Sequence, residues 1–236
     1  MSIKREPVNH LETFIKHYHV RRFEKGEIIV TQGEVPGCVY LLKKGVIKTY
    51  NLTSQGEEKP IAFNIMGDAF PEAWIFDKAK YAIYFYEAFT DCEIYCIPKN
   101  EYVAFLKGNP EALYAEYDRL VGKYMNDQLR VNALEQSKAA EKVLNTIHFL
   151  CLRFGREVKE HQVQILLPLT QQDLANFMGL TRETTGIELK KLQRKGILSY
   201  KKQNYIVHTD KLDDLLDEEY EIGGVKTGID IDIAEL

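Results

Sequence analysis

L-T-Q-Q-D-L-A-N-F-M-G-L-T-R-E-T-T-G-I-E-L-K-K-L, residues 169–192, holds two short helices and the turn between them. Thr170 supplies a hydroxyl to cap the first helix, whose core face is Leu174, Phe177 and Met178. Ala175 is small where two helices must approach, and Gly179 offers the left-handed conformation that a sharp turn needs. Thr181 then caps a second helix with Leu180, either Ile187 or Thr184, Leu189 and Leu192 on its inner face. The spacing predicts a helix-turn-helix. The segment G-I-L-S-Y-K-K-Q-N-Y-I-V-H, residues 196–208, follows as a β-hairpin with Lys201, Lys202, Gln203 and Asn204 at its tip, which makes a wing.

In a unit of this kind the second helix enters the major groove by its N-terminal turns. Arg182, Glu183, Thr185 and Gly186 occupy those turns and are the candidate base readers. Arg182 has the geometry for two hydrogen bonds to guanine, and Glu183 accepts one from the amino group of cytosine. Thr170, Gln172, Thr181, Lys201 and Lys202 are the candidate phosphate contacts, which fix register without reading sequence. A helical pair used only for protein contacts is the alternative.

Upstream of this unit the periodicity stays helical. Val143, Leu144, Ile147, Leu150 and Cys151 mark an amphipathic helix after Ser137, and H-Q-V-Q-I-L-L-P-L-T gives a short strand before Thr170. Earlier still, Leu113, Tyr117, Leu120, Tyr124, Val131 and Leu134 are spaced 4, 3, 4, 7 and 3 residues apart, with Asp127 at the skipped position. So narrow a stripe suits a long helix paired with its own copy. Packing on the same chain's N-terminal domain is the alternative. From residue 20 to 97 the pattern changes to short strands: VRRF, EIIVTQ, VYLLKK, VIKTYNL, KPIAFNI, AIYFYEAF and CEIYCI, separated by glycines in turn-like positions. Regular short strands of this kind predict a barrel, sandwich or jelly roll. A short helix over 98–107 and the cap Asn109-Pro110 lead into the long helix.

Charge is distributed unevenly along the 236 residues. The net charge is -4, but residues 138–216 carry 13 Lys/Arg against 9 Asp/Glu, and residues 217–236 carry 1 against 7. The acidic tail masks a basic segment of the kind that meets phosphates. The tail itself fits a solvated extension; covering the basic face, binding a partner, or adding its I-D-I-D-I run to a sheet edge are the alternatives. No stretch reaches the roughly 20 apolar residues of a membrane span, and M-S-I-K-R-E-P-V-N-H-L-E-T-F lacks the apolar core of an export signal. A cytoplasmic protein is expected.

The 4 cysteines do not make a disulfide framework in so long a chain. Cys92 and Cys96 lie four residues apart on one strand, which puts their Cα atoms ~13 Å apart, too far for one metal ion. Cys38 and Cys151 are expected as buried fillers, and His17 and His19 as surface or packing residues. No metal site and no cofactor is expected. The sequence has no phosphate-binding glycine loop, no nucleophile-elbow turn and no zinc-protease helix, so an enzyme is not expected.

The motifs F-E-K-G-E-I-I-V-T-Q-G-E, V-Y-L-L-K-K-G and M-G-D-A-F, together with L-T-R-E-T-T-G, resemble those of the cyclic-AMP receptor and fumarate-nitrate regulator (CRP/FNR) family of bacterial transcription factors. The resemblance runs from about Val20 to Leu212. It implies an α+β architecture: an N-terminal β-roll of the cyclic-nucleotide-binding-like jelly-roll type (1–108), a dimerisation helix (109–136), a C-terminal winged helix-turn-helix (137–216) and the acidic tail (217–236). It also implies a homodimer on a two-fold symmetric double-stranded DNA site, with RNA polymerase as an allowed partner. A regulator that binds an effector or protein but has lost DNA contact is the alternative function.

Two departures from the family stand out. Its cyclic-AMP receptor reads bases through S-R-E-T-V-G-R; Arg182 and Glu183 match, but the last arginine is replaced by Ile187, which either touches a thymine methyl or packs inward. In the family's cyclic-AMP binders a Gly-Glu-Leu run and an Arg-Ser pair hold the ribose and phosphate. Here Pro71 stands at the glycine beside Glu72, and no Arg-Ser follows; Lys78 and Lys80 fit a solvated loop. Cyclic AMP is therefore not the expected effector. Aromatic residues fill the region instead, and Phe70, Glu72, Trp74, Tyr84 and Tyr86 are the candidate pocket for an unknown ligand, against a barrel filled by its own side chains.

Overall fold

The computed structural model describes residues 10–220; the rest of the acidic tail, including the I-D-I-D-I run, lies outside the described residues. The chain divides into two units, Met1–Gly122 and Lys123–Leu236. In the first unit the elements are α1 His10–Ile15, β1 Val20–Phe23, β2 Ile28–Val30, β3 Val39–Lys44, β4 Ile47–Leu52, β5 Glu58–Asn64, β6 Ala69–Phe70, α2 Glu72–Ile75, β7 Phe85–Ala88, β8 Cys92–Ile97 and α3 Lys99–Gly108. Helix α4, Pro110–Glu135, crosses from the first unit into the second. The second unit continues with α5 Ala139–Phe154, β9 Gly155–Lys159, β10 Gln162–Ile165, α6 Gln171–Met178, α7 Arg182–Arg194, β11 Leu198–Lys201, β12 Asn204–His208 and α8 Thr209–Tyr220. Among the described residues no helix is long and apolar enough to cross a membrane.

The first unit is a β-roll of two four-stranded sheets, ordered β1-β8-β3-β6 and β2-β7-β4-β5, with antiparallel neighbours throughout. Both sheets contribute to one interior: Val30, Ile47, Tyr86 and Ala88 from one, Tyr40, Leu42, Phe70 and Ile94 from the other. On β3 the intervening residues Val39 and Leu41 turn to the opposite face, where they join Ile75, Tyr102 and Leu106 and the partly buried Leu11 and Phe14 of α1. A strand covered on both faces explains the unbroken apolar run V-Y-L-L. The two-residue β6 and the single-turn α2 carry too little pattern for sequence reading to find them.

The N-terminal half of α4 is tied to this unit by a buried polar cluster. The Glu116 carboxylate accepts from the Tyr102 hydroxyl at 3.3 Å and pairs with Arg119 at 3.0 Å. Arg119 also donates to the Gly67 carbonyl. Burial pushes the Glu116 carboxyl above its ordinary range, against the pull of Arg119.

The cysteines require a correction. Cys38, expected as an isolated filler, is bonded to Cys96, with Cα atoms 5.5 Å apart. Tyr40 sits opposite Cys96 across the β3–β8 ladder, so Cys38, two residues earlier, is a diagonal neighbour of Cys96. A pairing across 58 residues is set by strand register and leaves no trace in local spacing. Cys92 and Cys151 are free and buried, and burial pushes the Cys151 thiol up to about 12, which fits a packing role.

In the second unit a four-stranded antiparallel sheet, ordered β11-β12-β10-β9, packs with α5, α6 and α7. The predicted face of α5 is buried at Val143, Leu144, Ile147, Leu150 and Cys151. The wing hairpin extends the short strand predicted before Thr170, which also pairs with the unforeseen β9. Helix α8 was hidden in a run of acidic residues, yet Leu212 and Leu216, one turn apart, are both buried.

Candidate nucleic-acid interface

Helix α6 begins at Thr170, whose hydroxyl oxygen accepts from the Asp173 backbone N–H at 3.1 Å. The Asp173 carboxylate accepts in return from the Thr170 N–H at 2.8 Å and from its hydroxyl at 2.7 Å, completing a capping box. The helix stops at Gly179, with φ 67° and ψ 34°, the left-handed conformation expected of it. Two residues later Thr181 accepts from the Thr184 N–H at 3.1 Å and starts α7. The two caps and the glycine thus fix where each helix begins and how the chain reverses between them.

The helices approach closely at one point. A Cβ on Gly186 would come within 3.3 Å of the Gln171 Oε1 atom, so the absence of a side chain there lets α7 lie against α6. Gln171 in turn donates from Nε2 to the Tyr200 hydroxyl at 3.4 Å, linking α6 to the wing. The C-terminal part of α4 is joined to the same unit: the Arg130 guanidinium lies 4.2 Å from the Phe177 ring centroid.

Around this scaffold Thr170, Gln171, Gln172, Arg182, Tyr200, Lys202 and Gln203 line one open cleft. The first helix, the first residue of the second helix and the wing tip therefore border the same space. Arg182 and Glu183 are exposed, Gly186 is half-buried, and Lys201 and Lys202 project from the hairpin. Gln172 is exposed and donates to Asn176 at 2.8 Å. Lys202 has φ 56° and forms the two-residue turn with Gln203, while Lys201 pairs with Asn204 at the strand ends. Gln171 and Tyr200 were missed from sequence. The signal was present, since Tyr200 lies two residues before Lys202, on the same side of the hairpin.

One expected base reader is misplaced. Thr185 is 0% exposed and lies on the inward face of α7 with Leu189 and Leu192, at steps of four and three. Its hydroxyl is buried without a hydrogen-bond partner. Ile187, one of the two residues expected to fill that inner face, is 56% exposed, and Thr184 is only half-buried. Leu189 and Leu192 are inward as expected, but the place given to Ile187 or Thr184 is taken by Thr185, which does not present itself to a groove. Thr185→Val keeps the shape and removes the unpaired hydroxyl, so it stabilises the second unit by about 1 kcal/mol in thermal unfolding and leaves DNA affinity within about two-fold. A marked loss of site binding by this variant would return Thr185 to the interface.

The candidate effector pocket also needs correction. Phe70 is fully buried between Tyr40 and Tyr86, with ring centroids at 5.5 and 5.1 Å, and Tyr84 packs against the same interior. Trp74 belongs to the other cluster, on the α1 and α3 side, where the Lys99 ammonium sits 4.6 Å above its ring and donates to its carbonyl at 2.7 Å. Glu72 is half-buried at the start of α2. Phe70, Tyr84 and Tyr86 share the roll interior while Trp74 belongs to the opposite cluster, so the five residues do not form one group.

On α4 the predicted stripe divides by exposure. Leu113, Tyr117, Tyr124 and Val131 are exposed, joined by Tyr114 and Val121, while Leu120 and Leu134 are half-buried. The buried residues Glu116, Asn126 and Ala133 lie on other positions of the helix.

Comparison with known proteins agrees with this architecture. Residues 20–109 match the model of the cyclic nucleotide-binding domain, and residues 146–215 match that of the Crp-like helix-turn-helix domain. The chain is 24% identical over 198 residues to the cAMP-activated global transcriptional regulator CRP of Pasteurella multocida, covering 84% of this chain and 94% of that protein. It is 29% identical over 191 residues to Electron transport regulator A of Shewanella oneidensis, covering 79% and 73% respectively. Among solved structures, FixK2 from Bradyrhizobium japonicum superposes with a TM-score of 0.70 at 20% identity, over 84% of this chain and 96% of that one, a likeness of fold.

Proposed function

The chain belongs to the CRP/FNR family of transcription regulators, and from that premise we propose that it works as a homodimer reading a two-fold symmetric DNA site. The observation that carries this reading is the shared border of the cleft: the capped start of α6, Arg182 at the first position of α7, and Lys202 at the wing tip. A duplex seated there meets one cation on the reading helix and another at the wing tip. Arg182 and Glu183 contact base edges. Thr170, Gln172, Thr181, Lys201 and Lys202 hold the phosphates.

The second copy is supplied through α4. Its exposed tyrosines and aliphatic residues recur at heptad spacing, and burying them against the same face of another chain gives the pair of recognition helices its spacing. Asp127 within the stripe is a polar seam residue of the kind that fixes register. The protein acts in the cytoplasm, where its DNA is, with RNA polymerase as its neighbour at a promoter.

The Pasteurella relative is cAMP-activated, but the effector of this chain is not cyclic AMP. Pro71 removes a backbone donor where the family's cassette has glycine, and no Arg-Ser pair follows Glu72. With Tyr40, Phe70 and Tyr86 packed together in the roll interior, the β-roll senses a signal other than cyclic AMP. Incubating the purified protein, without ligand, with a random pool of duplexes tests the DNA reading. Recovery of related sequences supports it; recovery of none leaves either a missing effector or a regulator that has lost DNA contact, which repeating the selection with cell-extract metabolites separates.

A further inference from the structure

The surface of α7 changes character one turn in from its start. Arg182 and Glu183 offer charge and hydrogen bonds, and Lys190 is exposed further along. Between them stand Gly186, with no side chain, and Ile187, 56% exposed. Ile187 lies four residues after Glu183 and therefore on the same face of the helix. Leu189 and Leu192 take the inward positions, so the core has no place for Ile187. An isolated exposed aliphatic residue is ordinary on a protein surface. This one is set apart by its place, on the face led by Arg182 and Glu183.

A β-branched side chain has few rotamers, so its two terminal carbons are held in place before any partner arrives. It carries no hydrogen-bond donor or acceptor. Of the groups that base pairs display in the major groove, only the C5-methyl of thymine is apolar. Given that α7 reads DNA as proposed above, we infer that Ile187 is a specificity-determining residue that selects a 5-methylpyrimidine at one position of each half-site. Arg182 and Glu183 set the outer positions by hydrogen bonds; Ile187 sets an inner one by apolar contact.

The experiment uses the full-length protein and a duplex recovered from the random pool. Each thymine of the half-site is replaced in turn by deoxyuridine, which pairs identically but lacks the methyl group. At one position the affinity falls about four-fold per half-site and about 15-fold when both are replaced, the scale of one buried apolar carbon. Cytosine at that position binds more weakly, and 5-methylcytosine recovers the methyl increment. Ile187→Ala binds the thymine and deoxyuridine duplexes alike, while Ile187→Val keeps part of the difference. Because the side chain is exposed, neither substitution opens a cavity in the core.

A wild-type protein indifferent to the methyl group at every position overturns the inference and leaves DNA reading intact. So does a methyl preference that survives in Ile187→Ala. Failure to bind any duplex removes the function proposed above and this inference with it.

Discussion

Arg182→Ala lowers affinity for the recovered DNA site by about 1–3 kcal/mol per half-site, which over two half-sites is roughly 30-fold to 25,000-fold. Binding to unrelated duplexes falls far less. The effect is large because a guanidinium in the groove makes two hydrogen bonds to one guanine, and a truncated side chain leaves the base edge unpaired. Its position is over-determined: Arg182 is the first residue of α7, directly after the Thr181 cap, and the turn before it is fixed by Gly179. The side chain is exposed, so its removal leaves the core untouched. Competition titrations against a scrambled duplex measure the difference. An equal loss on both duplexes would make Arg182 a phosphate contact and move base reading elsewhere on α7.

The second large effect concerns α4. Replacing Tyr117 and Tyr124 together by glutamate dissociates the dimer and lowers site affinity by about 100-fold to 10,000-fold, because each winged helix then binds its half-site alone. Both tyrosines are 61% exposed and lie two turns apart on one face. Neither contributes to a core of its own chain, so each protomer keeps its fold; thermal unfolding of the dissociated chain shows the same secondary structure. The carboxylates bring like charges together across the pairing face. Sedimentation equilibrium gives the oligomeric state. A variant that remains a dimer would show that another surface joins the two chains.

What could be read from the sequence was what depends on neighbours in the chain. The two threonine caps, the left-handed glycine and the short strands punctuated by glycines follow from a few adjacent residues, and the structure has both caps, the glycine and a β-roll of short strands. The first inward residue of α7 was harder to place. Thr184, Thr185 and Ile187 are all β-branched, and a helix of 13 residues accommodates more than one inner face. Contact with neighbouring elements of the same unit decides which is buried, and it chose Thr185. The Cys38–Cys96 bond lies in the register of β3 on β8, two strands far apart in sequence. The aromatic residues from 70 to 86 looked like one pocket because they are close in sequence. The chain leaves β6 through Pro71 into α2, which puts Phe70 in the roll interior and Trp74 against the outer helices. Helix α8 was obscured by its acidic residues, among which the buried Leu212 and Leu216 are the apolar signal.

The symmetry of the sequences recovered from the random duplex pool tests the central claim most directly. The account predicts two inverted half-sites with centres about one helical turn, ~34 Å, apart, each carrying a guanine for Arg182 and a thymine nearer the inside for Ile187. A single unpaired half-site, or recovery no better than the starting pool, would contradict a dimer that places two winged helices on one face of the DNA.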